Sequence, residues 1–163
     1  MLEAAPSLDS GSLEIFHQAG EADRERVAAG YAEAHLRATV VAFEPDMPAR
    51  YQWADLALCR SGALTVAELA LAGLPALLVP YPYAADDHQL ANARALADAG
   101  AAVLLADRPL PASDVAKAIT RAFEDPVELE AMGRRAAALA RPDAAERIVE
   151  ECAALLTPTE GEA

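Results

Sequence analysis

Apolar and polar positions fall into alternating blocks along this chain. Residues 13–17, 38–42, 56–58, 76–79 and 101–105 are short runs dominated by apolar side chains. Most of these runs are continuous rather than alternating, the pattern of parallel strands buried on both faces. Between them, residues 21–34, 48–53, 63–72 and 86–99 carry helical spacing. Breakers separate the blocks: residues 18–20 end in Gly20, Pro45 follows the second run, and Gly73 with Pro75 closes the third helix. Gly100 closes the fourth. Beyond Pro109 and Pro111 the pattern becomes helical only, over 113–124, 127–140 and 143–156. Residues 1–12, with Pro6 and Gly11, read as an irregular loop or tail, and residues 157–163 as a frayed end. Strands separated by helices predict an α/β fold: a five-stranded parallel, Rossmann-like sheet with right-handed crossovers and flanking helices. No repeat or internal boundary divides the pattern, so 163 residues predict one domain.

Composition narrows the choice of function. Hydrophobic residues make up 54% and charged residues 24%, which excludes a disordered chain. The formal net charge of −13 argues against nucleic acid, whose phosphates demand clustered Lys and Arg. It also argues against charge-driven docking on anionic lipid. Cys59 and Cys152 have no metal or redox spacing, as expected of reduced thiols in a cytoplasmic protein. No apolar run approaches the ~18 residues of a membrane span, and no basic-then-apolar leader opens the chain.

The chemistry concentrates between Cys59 and Ala93. A run of Ser61, Gly62, Ala63, Leu64 and Thr65 turns from the third strand into a helix. Ligands bind at such strand ends in open α/β sheets, and the free N–H groups and dipole of the helix start favour a phosphate. Gly62 would let a ligand approach the backbone closely. The plainer alternative is a helix start capped by serine. Glu68 also has two readings. Thr65-x-x-Glu68 matches a capping box, or else the carboxylate accepts bonds from two vicinal ribose hydroxyls. In the next helix His88, Gln89 and Asn92 share an arc, suited either to sugar hydroxyls or simply to solvent. Asp86 and Asp87 suit that helix's N-terminal dipole. No metal-ligand spacing, G-x-S-x-G elbow or catalytic triad stands out.

Three segments carry a resemblance: HQAG at 17–20, CRSGALTVAELALAGLPALLVPYPYAADDHQLANA at 59–93, and AGAAVLL at 99–105. Together they resemble the MurG family, the UDP-N-acetylglucosamine transferases of peptidoglycan synthesis. The likeness runs in register from about residue 13 to 156. It implies the C-terminal, donor-binding lobe of an inverting GT-B glycosyltransferase that converts lipid I to lipid II. UDP-GlcNAc would be the donor. The lipid-linked acceptor, an undecaprenyl-diphosphate muramyl-peptide, would be met at the inner face of the plasma membrane. The resemblance puts the UDP diphosphate on the backbone at Ala63, Leu64 and Thr65. It puts the uridine ribose on Glu68, the uracil against Phe43, and the GlcNAc hydroxyls on Gln89 with His88 and Asn92 nearby. Arg60 belongs to the same motif, with a local structural role open to it. No cofactor or metal is expected.

The family's N-terminal acceptor lobe has no counterpart in these residues, nor does the first strand with its Gly-rich loop. The general base for the attacking hydroxyl would belong to that other half, so no catalytic residue is assigned here. The expectation is a donor-binding half acting with an N-terminal lobe or a partner chain, as a homo- or hetero-oligomer. The alternatives are a truncated, catalytically silent UDP-sugar-binding or interaction module, half of a split GT-B transferase with another acceptor, or a related GT-B enzyme with another sugar donor.

Overall fold

The computed structural model describes residues 1–81 and 87–156. A 3-10 helix at Leu2–Ser7 leads into β1 (Glu14–Gln18), α1 (Arg24–Glu33) and β2 (Arg37–Val41). Then come α2 (Met47–Trp53), β3 (Ala57–Cys59), α3 (Ala63–Ala72) and β4 (Ala76–Leu78). The chain continues through α4 (His88–Asp98), β5 (Ala102–Leu104), α5 (Ala112–Glu124), α6 (Pro126–Ala138) and α7 (Ala144–Leu156). Every ladder is parallel, so the α/β expectation holds.

One expectation needs correction. The strands form two ladders rather than a single sheet, β1–β2 and β3–β4–β5. β1 pairs with β2 from Glu14↔Arg37 to Gln18↔Val41, while β3 pairs only with β4. Among the described residues no ladder joins the two, yet Ile15, Leu56 and Leu58 pack against one shared core. Hydrophobic burial therefore unites the ladders without a continuous hydrogen-bonded sheet.

The residues at 1–12 also differ from expectation. They are not a free tail: Ala4, Ala5 and Leu8 are buried with Val27 and Tyr31 of α1 and Val115 and Ile119 of α5. Three scattered small apolar residues carry too little periodicity to be legible, but they fill a cleft between two helices.

β4 divides the core. Leu77 enters the cluster with α1 and α5, whereas Ala76 and Leu78 enter a second cluster with Leu69, Ala93, Leu96 and Ala136. Successive strand residues point to opposite faces, so helices on both sides explain why 76–78 reads as unbroken apolar sequence. α3 stops where Gly73 takes a left-handed φ of 63°, and Leu74 N–H returns to Leu69 O at 3.0 Å. α7, like α2, has no buried residue, and its Ile148, Val149, Leu155 and Leu156 are exposed.

Candidate functional site

The predicted residues follow the carboxyl ends of strands: Phe43 after β2, Arg60 to Thr65 after β3, and His88 to Asn92 after β4. α3 begins at Ala63 with Gly62 as its N-cap, and no side chain caps it. Val66 N–H bonds to Gly62 O across this start, at 3.0 Å. The N–H groups of Ala63, Leu64 and Thr65 precede it and have no intrahelical acceptor. Leu64, 80% exposed, lies beside them. Gly62 has ordinary dihedrals, φ −62° and ψ 151°, and a Cβ there would meet nothing closer than Thr65 Oγ1 at 3.7 Å. The fold itself therefore does not require glycine; the space its missing side chain leaves is open at the helix start.

Two plainer readings fail on this geometry. Ser61 does not cap α3. It is fully buried, and its hydroxyl donates to Gln89 O at 2.7 Å. Thr65 is the third residue inside the helix, so Thr65 and Glu68 cannot form a capping box, which needs threonine at the N-cap. The Glu68 carboxylate instead accepts the Tyr51 hydroxyl at 2.8 Å.

α4 is stapled to the same turn. Asn92 Nδ2 donates to Ser61 O at 3.1 Å, and Gln89 Oε1 accepts Tyr81 N–H at 2.9 Å. The structure thus joins Ser61, Gln89 and Asn92, and gives Asn92 a structural bond besides any ligand contact. Gln89 keeps its amide NH2 as a donor end. His88 is exposed at the first position of α4. Asp87 is the N-cap, without a side-chain capping bond, and Asp86 lies outside the described residues. Arg60 makes local contacts: Nη1 donates to Pro80 O at 3.3 Å and the guanidinium lies 5.2 Å from the Tyr81 ring centre.

Phe43, 72% exposed, leaves the end of β2 in a braced loop. Its neighbour Glu44 gives its backbone N–H to Gln18 Oε1 and takes bonds from Asp46 N–H and Arg50 Nε. The Asp46 N–H, then Arg50, hold the Glu44 carboxyl below the usual range, so it stays ionised. Burial pushes the Cys59 thiol up to about 11, which leaves it protonated and unsuited to nucleophilic work. Sequence reasoning missed Tyr51, Gln18 and Glu44; as isolated polar residues near loops they carry no periodic signal.

Among the described residues, no group of three or more His, Cys, Asp and Glu side chains forms a metal site. None of their helices is long and apolar enough to cross a membrane. A concavity of about 770 Å³ between α2, α3 and α6, lined by Gln52, Leu129 and Arg134 among others, holds none of the predicted residues. The predicted residues therefore lie outside this concavity.

A parallel α/β lobe with an uncapped helix start at the strand ends defines a Rossmann-like ligand-binding class. Residues 1–148 match the glycosyltransferase family 28 C-terminal domain, and the chain belongs to that family. It is 51% identical over 139 residues to a Stutzerimonas stutzeri UDP-N-acetylglucosamine–N-acetylmuramyl-(pentapeptide) pyrophosphoryl-undecaprenol N-acetylglucosamine transferase, spanning 85% of this chain and 39% of that protein. A Nitratidesulfovibrio vulgaris protein of the same description is 45% identical over 160 residues, 98% of this chain and 44% of its own. The crystal structure of Acinetobacter baumannii MurG superposes with a TM-score of 0.83 at 39% identity, covering 91% of this chain and 43% of that one. The chain thus spans about two fifths of the relatives it matches.

Proposed function

We propose that this chain is the donor-binding lobe of an inverting hexosyltransferase that moves GlcNAc from UDP-GlcNAc to a lipid-linked muramyl-peptide. The observation that carries the reading is the uncapped α3 start at open Gly62, stapled through Ser61 to Gln89 and Asn92. Three N–H groups and the helix dipole suit the diphosphate of a nucleotide sugar. Glu68, one turn further along α3, suits the ribose, with Phe43 beyond it against uracil. Gln89, on the other side of the turn, suits the hexose. His88 and Arg60 adjoin Gln89 and Ser61 in the chain.

This lobe contributes binding and orientation. The acceptor and the base that deprotonates its attacking hydroxyl belong to another lobe or chain, because transfer needs both substrates held in one geometry. The chain alone is expected to bind donor and transfer nothing. The relatives' names include an undecaprenol-linked acceptor, which supports a working complex at the inner membrane face.

The edges of β1 and β3 support completion by another segment. Ala19 N–H bonds to Val41 O, and Ala57 N–H to Pro75 O. Alternate residues carry a parallel ladder, so the backbone groups of Phe16, Gln18 and Leu58 point away from their ladder partners. An extended segment, from a second copy or a different chain, would find donors and acceptors there.

Calorimetry on Glu68→Ala and Gln89→Ala tests the assignment. Glu68→Ala should weaken UDP by about 1.5–3 kcal/mol, the cost of a charged acceptor, and Gln89→Ala should weaken only UDP-GlcNAc, by about 0.5–1.5 kcal/mol. Equal losses for UDP alone would show the helices assigned to the wrong ends of the ligand. Absence of UDP binding by the wild-type chain at millimolar concentration would favour a silent module.

A further inference from the structure

Phe43 and Glu68, the side chains proposed to meet the nucleoside, stand on different elements, and one short helix joins them. α2 carries Arg50 and Tyr51 at adjacent positions. Arg50 Nε donates to Glu44 Oε2 at 2.7 Å, and Glu44, only 8% exposed, is the residue after Phe43. The other Glu44 oxygen accepts Asp46 N–H at 2.9 Å, and Gln18 Oε1 holds the Glu44 N–H at 2.9 Å. Asp46 in turn caps α2, accepting from Ala49 N–H at 3.1 Å. The Phe43 loop and α2 are thereby one braced unit.

From that unit Tyr51 reaches across to α3. Its hydroxyl donates to Glu68 Oε2 at 2.8 Å. Glu68 is exposed, and among the described residues Tyr51 is the hydrogen-bond partner of its carboxylate. A free glutamate on a helix surface samples several rotamers; a bond at Oε2 selects one and leaves Oε1 to accept hydroxyls. Burial, then the Glu68 carboxylate, push the Tyr51 phenol well above its ordinary range, so it remains a donor.

We propose that Tyr51 is a positioning residue for ribose recognition: it holds Glu68 in one rotamer and couples that carboxylate, through α2, to the loop carrying Phe43. This rests on the reading in which Glu68 meets the ribose. Ordering the carboxylate before the ligand arrives spares that cost on binding. The benefit is specific to ligands that offer both hydroxyls. A plain tie between α2 and α3 would instead support every nucleotide equally.

Calorimetry with UDP and 2′-deoxy-UDP on the wild-type chain, Tyr51→Phe, Glu68→Gln and the double variant separates these. Tyr51→Phe keeps the ring, and its melting temperature reports folding. It should weaken UDP about threefold to tenfold, the scale of one immobilised side chain, and weaken 2′-deoxy-UDP far less. In the Glu68→Gln background it should weaken UDP no further. Equal losses for both nucleotides, or losses that add fully in the double variant, overturn the proposal. If Glu68→Gln weakens UDP while Tyr51→Phe binds as wild type, positioning alone falls and the donor-site reading stands. If Glu68→Gln binds UDP as wild type, the ribose assignment falls and the proposal with it.

Discussion

Replacing Gly62 with alanine separates what the fold needs from what a ligand needs. The backbone at Gly62 is already in a region alanine adopts freely, and the new methyl would lie 3.7 Å from Thr65 Oγ1, an ordinary contact. Alanine is a poorer N-cap than glycine, by roughly 0.5–1 kcal/mol. It also stiffens the unfolded chain, which favours folding by about 0.4–1 kcal/mol. These nearly cancel, so the melting temperature should move by about 2 °C or less. Binding should respond differently. The methyl would stand in the open space at the start of α3, between an incoming diphosphate and the N–H groups of residues 63–65. Losing one charge-assisted bond costs about 1.5–3 kcal/mol. At about 1.4 kcal/mol per decade, UDP should bind roughly tenfold to a hundredfold more weakly. Thermal denaturation and calorimetry on the same preparation provide both numbers. Unchanged UDP affinity in a folded Gly62→Ala chain would show that the diphosphate does not approach this turn. A large fall in melting temperature would show that Gly62 serves the fold after all.

Two further outcomes concern pH and assembly. His17 Nδ1 lies 2.9 Å from the Tyr31 hydroxyl, and burial holds its imidazole below the ordinary range near 6.5. The folded state therefore binds this proton less readily than the unfolded state, so stability is full above pH 6.5 and declines as pH falls toward the folded value. Urea denaturation between pH 7.5 and 5 should show His17→Gln with a shallower slope than wild type by up to about one proton; parallel slopes refute the reading. The open backbone edges of β1 and β3 should make the isolated chain associate, as exposed edges do. Light scattering should then show a mass rising above 17.1 kDa with concentration, and a strictly constant 17.1 kDa counts against it.

Much of the site was legible because it is local. A strand, a small-residue turn and a helix occupy consecutive residues, so the meeting of Ser61, Gly62 and the α3 start needed only chain order. The pairing of Gln89 with that turn was legible one step further, as the start of the next helix in a parallel arrangement. Glu68 shows the limit. Its spacing from Thr65 fits a capping box, and only the true N-cap at Gly62 removes that reading.

The chain's own pattern determined the class of fold, the order of strands and helices, and the strand-to-helix turn at which a ligand is proposed to sit. Those follow from periodicity and from breakers such as Gly73, which act within a few residues. Tertiary structure alone decided that the strands form two ladders over one core, that residues 2–7 are a packed helix, and that Tyr51 reaches Glu68. Tyr51 and Glu68 are 17 positions apart, and Gln18 and Glu44 are 26 apart. A single hydrogen bond across such a distance leaves no periodic trace, because it depends on how whole elements pack rather than on the spacing of residues within one.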